Sequence, residues 1–279
     1  MTDAATADPT STLAGVPETL LITLAARLMA NRQNPDLHFT DTAAEEVGNA
    51  IGFDPARFSN DKASMRGCVA RGQWFDRVVS RFLAAHPDGL VVSIGSGLDT
   101  RANRINLPER ADWVDNDFPE VIALREEYVP PLPNVIAIAA DGTNVASWAE
   151  RTAWRDGRPV MVIAEGVSMY LQPKDAEAWL QGLIAQAGIR RSSLTLALDL
   201  ASPLMVRQSH RHPSVSKTGA RFAWGLKRPQ DLGKLGAGLR LVETFDIARQ
   251  CGPAAWLVAS AYRMLTLGHP VYSCALFST

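Results

Sequence analysis

The chain has 279 residues, 47% of them apolar, with 28 basic and 29 acidic side chains and a formal net charge of −1. That length can bury one large core, or a core with a cap. Balanced charge without a basic run or an acidic tail argues against nucleic acid or an anionic membrane as an obligate partner.

In chain order, residues 1–13 are rich in Ala, Thr, Asp and Ser and predict a disordered tail. The start, Met1-Thr2-Asp3-Ala4, has neither the positive region nor the apolar stretch of a signal peptide. Pro17-Glu18-Thr19 opens a helical run through Leu20, Leu24, Leu28 and Met29, and Asp41 caps a second helix over 42–51. Both precede the sheet, so 14–60 reads as a helical cap, either a lid or an added packing layer. Residues 61–86 form a long helix whose apolar side carries Met65, Val69, Trp74, Phe75, Val78, Val79 and Phe82. Arg71 lies on it, facing either solvent or a site at the strand that follows.

That strand, Leu90–Ile94, is β-branched enough to be buried in a parallel sheet and ends in Gly95-Ser96-Gly97, with Asp99 or Thr100 capping a helix over 100–105. Strand and helix patterns then alternate as in a doubly wound fold. Strands are expected at 112–115, 134–139, 159–164 and 193–200, and helices follow Pro119, at 145–151 and at 173–188. Residues 201–228 break the pattern as a loop-rich insertion in which Arg207, His210, Arg211, His212 and Trp224 mix cations with aromatics. A short helix at 229–235, a strand at 240–245, a helix at 254–267 and a last strand at 271–277 complete the chain. The core is thus assigned to 61–200 and 229–279. Its apolar runs are far too short to span a bilayer. Cys68, Cys251 and Cys274, odd in number and widely spaced, read as free thiols of a reducing cytoplasm. No metal-ligand spacing occurs among the cysteines and histidines.

Four successive strands end in polar groups: Gly95-Ser96-Gly97, Asp115 with Asp117, Asp141-Gly142, and Glu165. Open α/β sheets bind ligands at that edge. Taken singly, such acids can simply cap the next helix; four on one rim point to a nucleoside. Asp117 follows Gly95 by 22 residues, close to the spacing of about 20 for a ribose-binding carboxylate, and Asp141 is placed to accept from a purine amine. The dinucleotide pattern fails at Thr100, where a third glycine is wanted, and cations near the turn are limited to Arg101 and Arg104. An adenosine without phosphates and with a zwitterionic tail, as in S-adenosylmethionine, fits better, with Arg71 as partner of its carboxylate.

The same stretches carry a family resemblance. Gly15–Leu20, Ala70-Arg71 with Phe75-Asp76, Gly95–Arg101, Asp117–Val121 and Ala164–Leu171 make the chain similar to the leucine carboxyl methyltransferase superfamily. Within it the chain most resembles the bacterial polyketide-synthesis O-methyltransferases of the tetracenomycin type. The resemblance implies a Rossmann-like class I methyltransferase: an α/β fold with a seven-stranded, mostly parallel sheet and an antiparallel last strand. It further implies that Arg71 holds the methionine carboxylate, Gly95 lines the methionine, Asp117 binds ribose, Asp141 reaches adenine and Glu165 approaches the amino group. Protein-methylating members carry a cofactor-binding lysine in the cap, and here Arg27 is the only stand-in.

The expected reaction is methyl transfer from S-adenosylmethionine to oxygen of a small molecule, with S-adenosylhomocysteine as product. A carboxylate acceptor needs no base, whereas a phenol or hydroxyl would draw on Tyr170, His210 or His212. Tyr170 faces either the transfer site or the core, and the insertion is either a solvated loop or a cover for an acidic aromatic acceptor. The rival readings are a nucleotide-dependent oxidoreductase, a non-catalytic adenosyl-binding module and methylation of a protein C-terminus. Oligomeric state is left open.

Overall fold

The computed structural model describes residues 10, 13, 15–236 and 238–279. The expected tail, 1–13, therefore falls outside the described residues apart from Thr10 and Leu13, which are both buried.

Three helices precede the sheet: α1 (Leu20–Gln33), α2 (Thr42–Ala50) and α3 (Lys62–Ala85). Asp41 and Asp61 cap the second and third, accepting from Ala44 N–H at 3.0 Å and Ser64 N–H at 3.2 Å. Alternation begins with β1 (Leu90–Ile94), α4 (Arg101–Arg104), β2 (Asp112–Asp117), α5 (Pro119–Tyr128) and β3 (Val135–Ala139). It continues through α6 (Val145–Ala149), β4 (Val160–Ala164), α7 (Pro173–Ile189) and β5 (Leu194–Ala201). The expected insertion holds a short helix, α8 (Pro203–Gln208), and two 3-10 turns, Ser209–Arg211 and Val215–Lys217. The chain closes with α9 (Leu232–Leu235), β6 (Arg240–Asp246), α10 (Pro253–Leu265) and β7 (Tyr272–Ser278).

The seven strands lie in the order β3-β2-β1-β4-β5-β7-β6, and β7 alone runs against the direction of the other six. The order reverses between β1 and β4, which opens a crevice at their carboxyl ends. Period-two alternation splits the core across the sheet. Val92, Val114, Val162 and Leu196 pack with Trp148 and Trp179 under α6 and α7. Val91, Trp113, Met161 and Ile163 pack with Val78, Val79 and Phe82 of α3. Each large side chain buried this way stabilises the fold by about 1.5–3 kcal/mol.

A third apolar cluster lies over the strand ends. It joins Leu21, Leu24 and Val47 of α1 and α2 to Leu98 after β1, Met169 after β4, and Val215 and Phe222 of the insertion. N-terminal helices and insertion are thus sewn together above the crevice.

One element is shorter than its sequence suggests. Thr100 stands at the start of α4, but its hydroxyl donates to both Asp41 oxygens, at 2.8 and 2.7 Å, instead of capping the helix. The helix stops after four residues.

Candidate active site

The glycine turn after β1 is shaped by backbone sterics. Gly95 and Gly97 have φ of +63° and +52°, where L side chains are strained, and a Cβ on Gly95 would stand 2.5 Å from Val167 Cγ2. Asp117, at the end of β2, fixes the turn by accepting from Gly97 N–H at 2.7 Å and Phe118 N–H at 2.8 Å. Burial pushes the Asp117 carboxyl up, against the pull of those two N–H groups. Each oxygen retains lone-pair capacity for a diol.

Ten of the twelve residues singled out from the sequence line one cavity of about 810 Å3: Arg71, Gly95, Ser96, Gly97, Asp117, Asp141, Gly142, Glu165, Tyr170 and His212. Two lie elsewhere. Asp115 is buried beneath the turn, accepting from Trp113 Nε1 at 2.9 Å and from Arg125 Nη2. Arg125 in turn donates to the carbonyls of Gly97 and Asp99, both at 2.8 Å. Asp115 thus supports the turn through Arg125 and does not reach the cavity. His210 is exposed on its 3-10 turn, with Nδ1 beside the Arg207 carbonyl at 3.1 Å. Arg207 and Arg211 are exposed as well, and Trp224 is in the core, so the insertion presents mainly Met205, His212, Val215 and Phe222 to the cavity.

Around the β1 and β4 ends runs a connected ion-pair network. Arg71 donates from Nε to Glu165 at 2.9 Å, and from Nη1 to Asp199 at 2.9 Å and the Tyr272 hydroxyl at 2.6 Å. Tyr272 donates onward to Asp199, whose other oxygen accepts from Gly166 N–H at 2.9 Å. Burial opposes the Arg71 charge, but Tyr272, Glu165 and Asp199 outweigh it and hold its pKa well above the ordinary value. Burial pushes Asp199 up while Arg71 pulls it back, and its three donors are those of an ionised acceptor. Arg101 joins Glu165, Asp76 and Asp99 at 2.5–2.6 Å. Arg104 joins Asp41, Asp76 and Asp99, and Arg27 of α1 donates to Asp99 at 2.7 Å. Burial works against the Asp99 charge, yet Arg101, Arg104 and Arg27 hold its pKa well below the usual range. Four guanidinium groups face five carboxylates, which leaves one negative charge over.

Sequence reasoning did not single out Asp199 or Tyr272. The available signal was a lone carboxylate inside the apolar run Leu194–Ala201, since a buried Asp implies a buried cation.

The acceptor end, beyond β4, has a different chemistry. Tyr170 meets Phe222 edge to face at 5.3 Å, and burial pushes its hydroxyl up to about 12. His212 Nδ1 accepts from Val215 N–H at 3.3 Å, which places the ring proton on Nε2, 3.4 Å from Ser64 Oγ. Burial lowers the His212 pKa, so the ring is neutral near pH 7.

The residues at the other end fit an adenosyl group. Ser96 Oγ and Asn116 Oδ1 are buried there without a hydrogen-bond partner among the described residues, and a Cβ on Gly142 would intrude to 2.4 Å from Ile94 Cγ2. Arg71 Nη2 makes no hydrogen bond among the described residues, so one arm of a buried cation remains available.

Strand order, antiparallel last strand and glycine turn define the class, a Rossmann-like S-adenosylmethionine-dependent methyltransferase. The chain belongs to the leucine carboxyl methyltransferase family, whose model matches residues 16–184. It is 35% identical, over 84% of each chain, to the tetracenomycin polyketide synthesis O-methyltransferase TcmP of Streptomyces glaucescens. To the S-adenosyl-L-methionine-dependent methyltransferase dpfgK of Gibberella zeae it is 25% identical, over 91% of this chain and 90% of that one. Among solved structures, a DUF574 family protein of Streptomyces avermitilis shares the fold at TM-score 0.55 and 18% identity, over 90% of this chain and 95% of that one.

Proposed function

We propose that this methyltransferase esterifies the carboxylate of a small aromatic or polyketide-like acid. The observation that carries this reading is that the imidazole, phenol and thiol of His212, Tyr170 and Cys251, all lining the cavity, are not free to take a proton. Burial pushes the Tyr170 hydroxyl and the Cys251 thiol up to about 12, so both stay protonated. His212 directs its one lone pair at the Val215 N–H. A phenol would need a general base, whereas a carboxylate is ionised already. Tyr170, His212 and Ser64 then act as donors that orient the acceptor. The largely apolar lining, Met169, Met205, Val215 and Phe222 among it, suits a flat acid and keeps water out. A cavity of about 810 Å3 is of small-molecule size, which disfavours a protein C-terminus. The polyketide role of the similar Streptomyces enzyme supports the substrate class.

When bound, S-adenosylmethionine supplies a methyl group on a positively charged sulfur, open to in-line displacement by an acceptor oxygen. On this reading Arg71 Nη2 holds the methionine carboxylate, Gly95 gives the methionine room, and Glu165 faces the amino group. Asp117 takes the ribose hydroxyls, and Asp141, with Oδ1 engaged by Thr143, takes the adenine amine. Residues 14–60 and 201–228 act as the cap over this pair of ligands. Alignment of the reactants is the main device and can supply about 7–11 kcal/mol of the barrier. Three unpaired thiols fit a reducing cytoplasm.

The test is a screen with methyl-labelled cofactor against matched aromatic acids and phenols. Base-labile ester products, formed at a rate nearly flat from about pH 6 to 8, are expected. Base-stable ethers formed faster as pH rises would overturn the carboxylate assignment. Calorimetry with S-adenosylhomocysteine tests the cofactor end separately. Asp117→Ala should weaken binding by about 1–3 kcal/mol, and unchanged affinity would remove Asp117 from the ribose role.

A further inference from the structure

The helix α10 is apolar on almost every side and almost uncovered. Its sequence, Pro253–Leu265, carries a single charge, Arg263, which already pairs with Asp246 at 3.0 Å. Ala259 alone is buried. Leu257 is 63% exposed, Met264 78%, Leu265 80% and, just beyond the helix, Leu267 92%. A helix hydrophobic all round is ordinarily interior to something.

We infer that α10 packs against the same helix of a second copy of this chain, so that the protein is a two-fold dimer in solution. Trp256, Leu257, Val258, Met264, Leu265 and Leu267 are all exposed, and one side of a standard two-protein interface, about 800 Å2, is built from an apolar face of this kind. In a self-complementary pairing Arg263 brings its own carboxylate, and Arg249 already lies over the Trp256 ring at 5.1 Å. A net charge of −1 puts little repulsion between copies. Helices that lie on lipid carry a Lys- and Arg-rich face, and α10 has none. Ala255 and Val258 of the same helix line the active-site cavity, so the pairing covers the outer edge of the acceptor end.

Sedimentation equilibrium of the full chain at micromolar concentration tests this. The expected mass is twice the 30.2 kDa of one chain, and the double variant Leu257→Glu/Leu265→Glu should sediment as a monomer with its thermal transition retained. Should that variant fail to fold, dilution of the wild type provides the second readout, with amide exchange along α10 accelerating as the dimer dissociates. A wild-type chain of 30.2 kDa, with or without binding to vesicles of anionic phospholipid, overturns the proposal. So does a folded double variant that stays dimeric, or exchange along α10 that is independent of concentration.

Discussion

An imidazole in water takes its proton near pH 6.5, and burial moves that point down for His212, only partly opposed by Asp61. A lowered histidine pKa means that the unfolded chain binds the proton first as pH falls. His212 therefore costs nothing above about pH 6.5 and destabilises the fold progressively below it, until the native ring is itself protonated. His212→Asn, whose Oδ1 can still accept from Val215 N–H, should lose less stability than wild type between about pH 7 and 5. Parallel melting curves for the two proteins would remove the assigned shift. Residues of this kind mark the limit of reading a sequence. His210 and His212 look alike two positions apart, yet one is exposed and the other is fixed by a backbone N–H. Asp115 and Asp117 share a face of β2, yet Trp113 and Arg125 claim the first while the Gly97 and Phe118 N–H groups hold the second. Neither distinction has a local signature.

Elements were more legible than these residues, because periodicity and punctuation are local. The β1 strand runs between the expected bounds, and Pro119, Pro173 and Pro253 stand at the first positions of their helices. The four strand ends fall on one cavity because parallel strands in this register finish level: Ile94 lies opposite Asn116, and Asp117 opposite Ala139. What stayed hidden is the tie between distant elements, in which Asp199 of β5 and Tyr272 of β7 hold Arg71 of α3. That tie makes the strongest stability prediction. Asp199→Ala would leave the Tyr272 hydroxyl and Gly166 N–H without their acceptor and take from Arg71 one of its two carboxylates. Removing one member of a buried ion pair costs about 3–5 kcal/mol. The denaturant midpoint should fall accordingly with an unchanged slope. A loss below about 1 kcal/mol would mean that Glu165 and water suffice for Arg71.

At the scale of the molecule, the N-terminal helices and the sheet meet through charge as well as apolar packing. Asp41, at the head of α2, accepts from Thr100 at the start of α4 and from Arg104 within it, and Arg27 of α1 donates to Asp99 and to the Leu98 carbonyl. A ligand in the cavity touches both parties, since Leu20, Thr23 and Arg27 line it together with the strand ends. Ligand free energy should then be shared across the whole chain instead of staying at the glycine turn. At about one hundred times its dissociation constant, S-adenosylhomocysteine stabilises the native state by about 2.7 kcal/mol. Hydrogen exchange should slow by a similar factor in α1, in the turns after β1 and β2, and across residues 209–222, because opening any one of them exposes the ligand. Protection confined to the strand-end turns would mean that the helices pack beside the site without closing it, and the cap assigned to 14–60 and 201–228 would have to be given up. NAD in place of S-adenosylhomocysteine should protect none of these segments, since the turn has no third glycine and Arg27, Arg101 and Arg104 around it are already held by carboxylates.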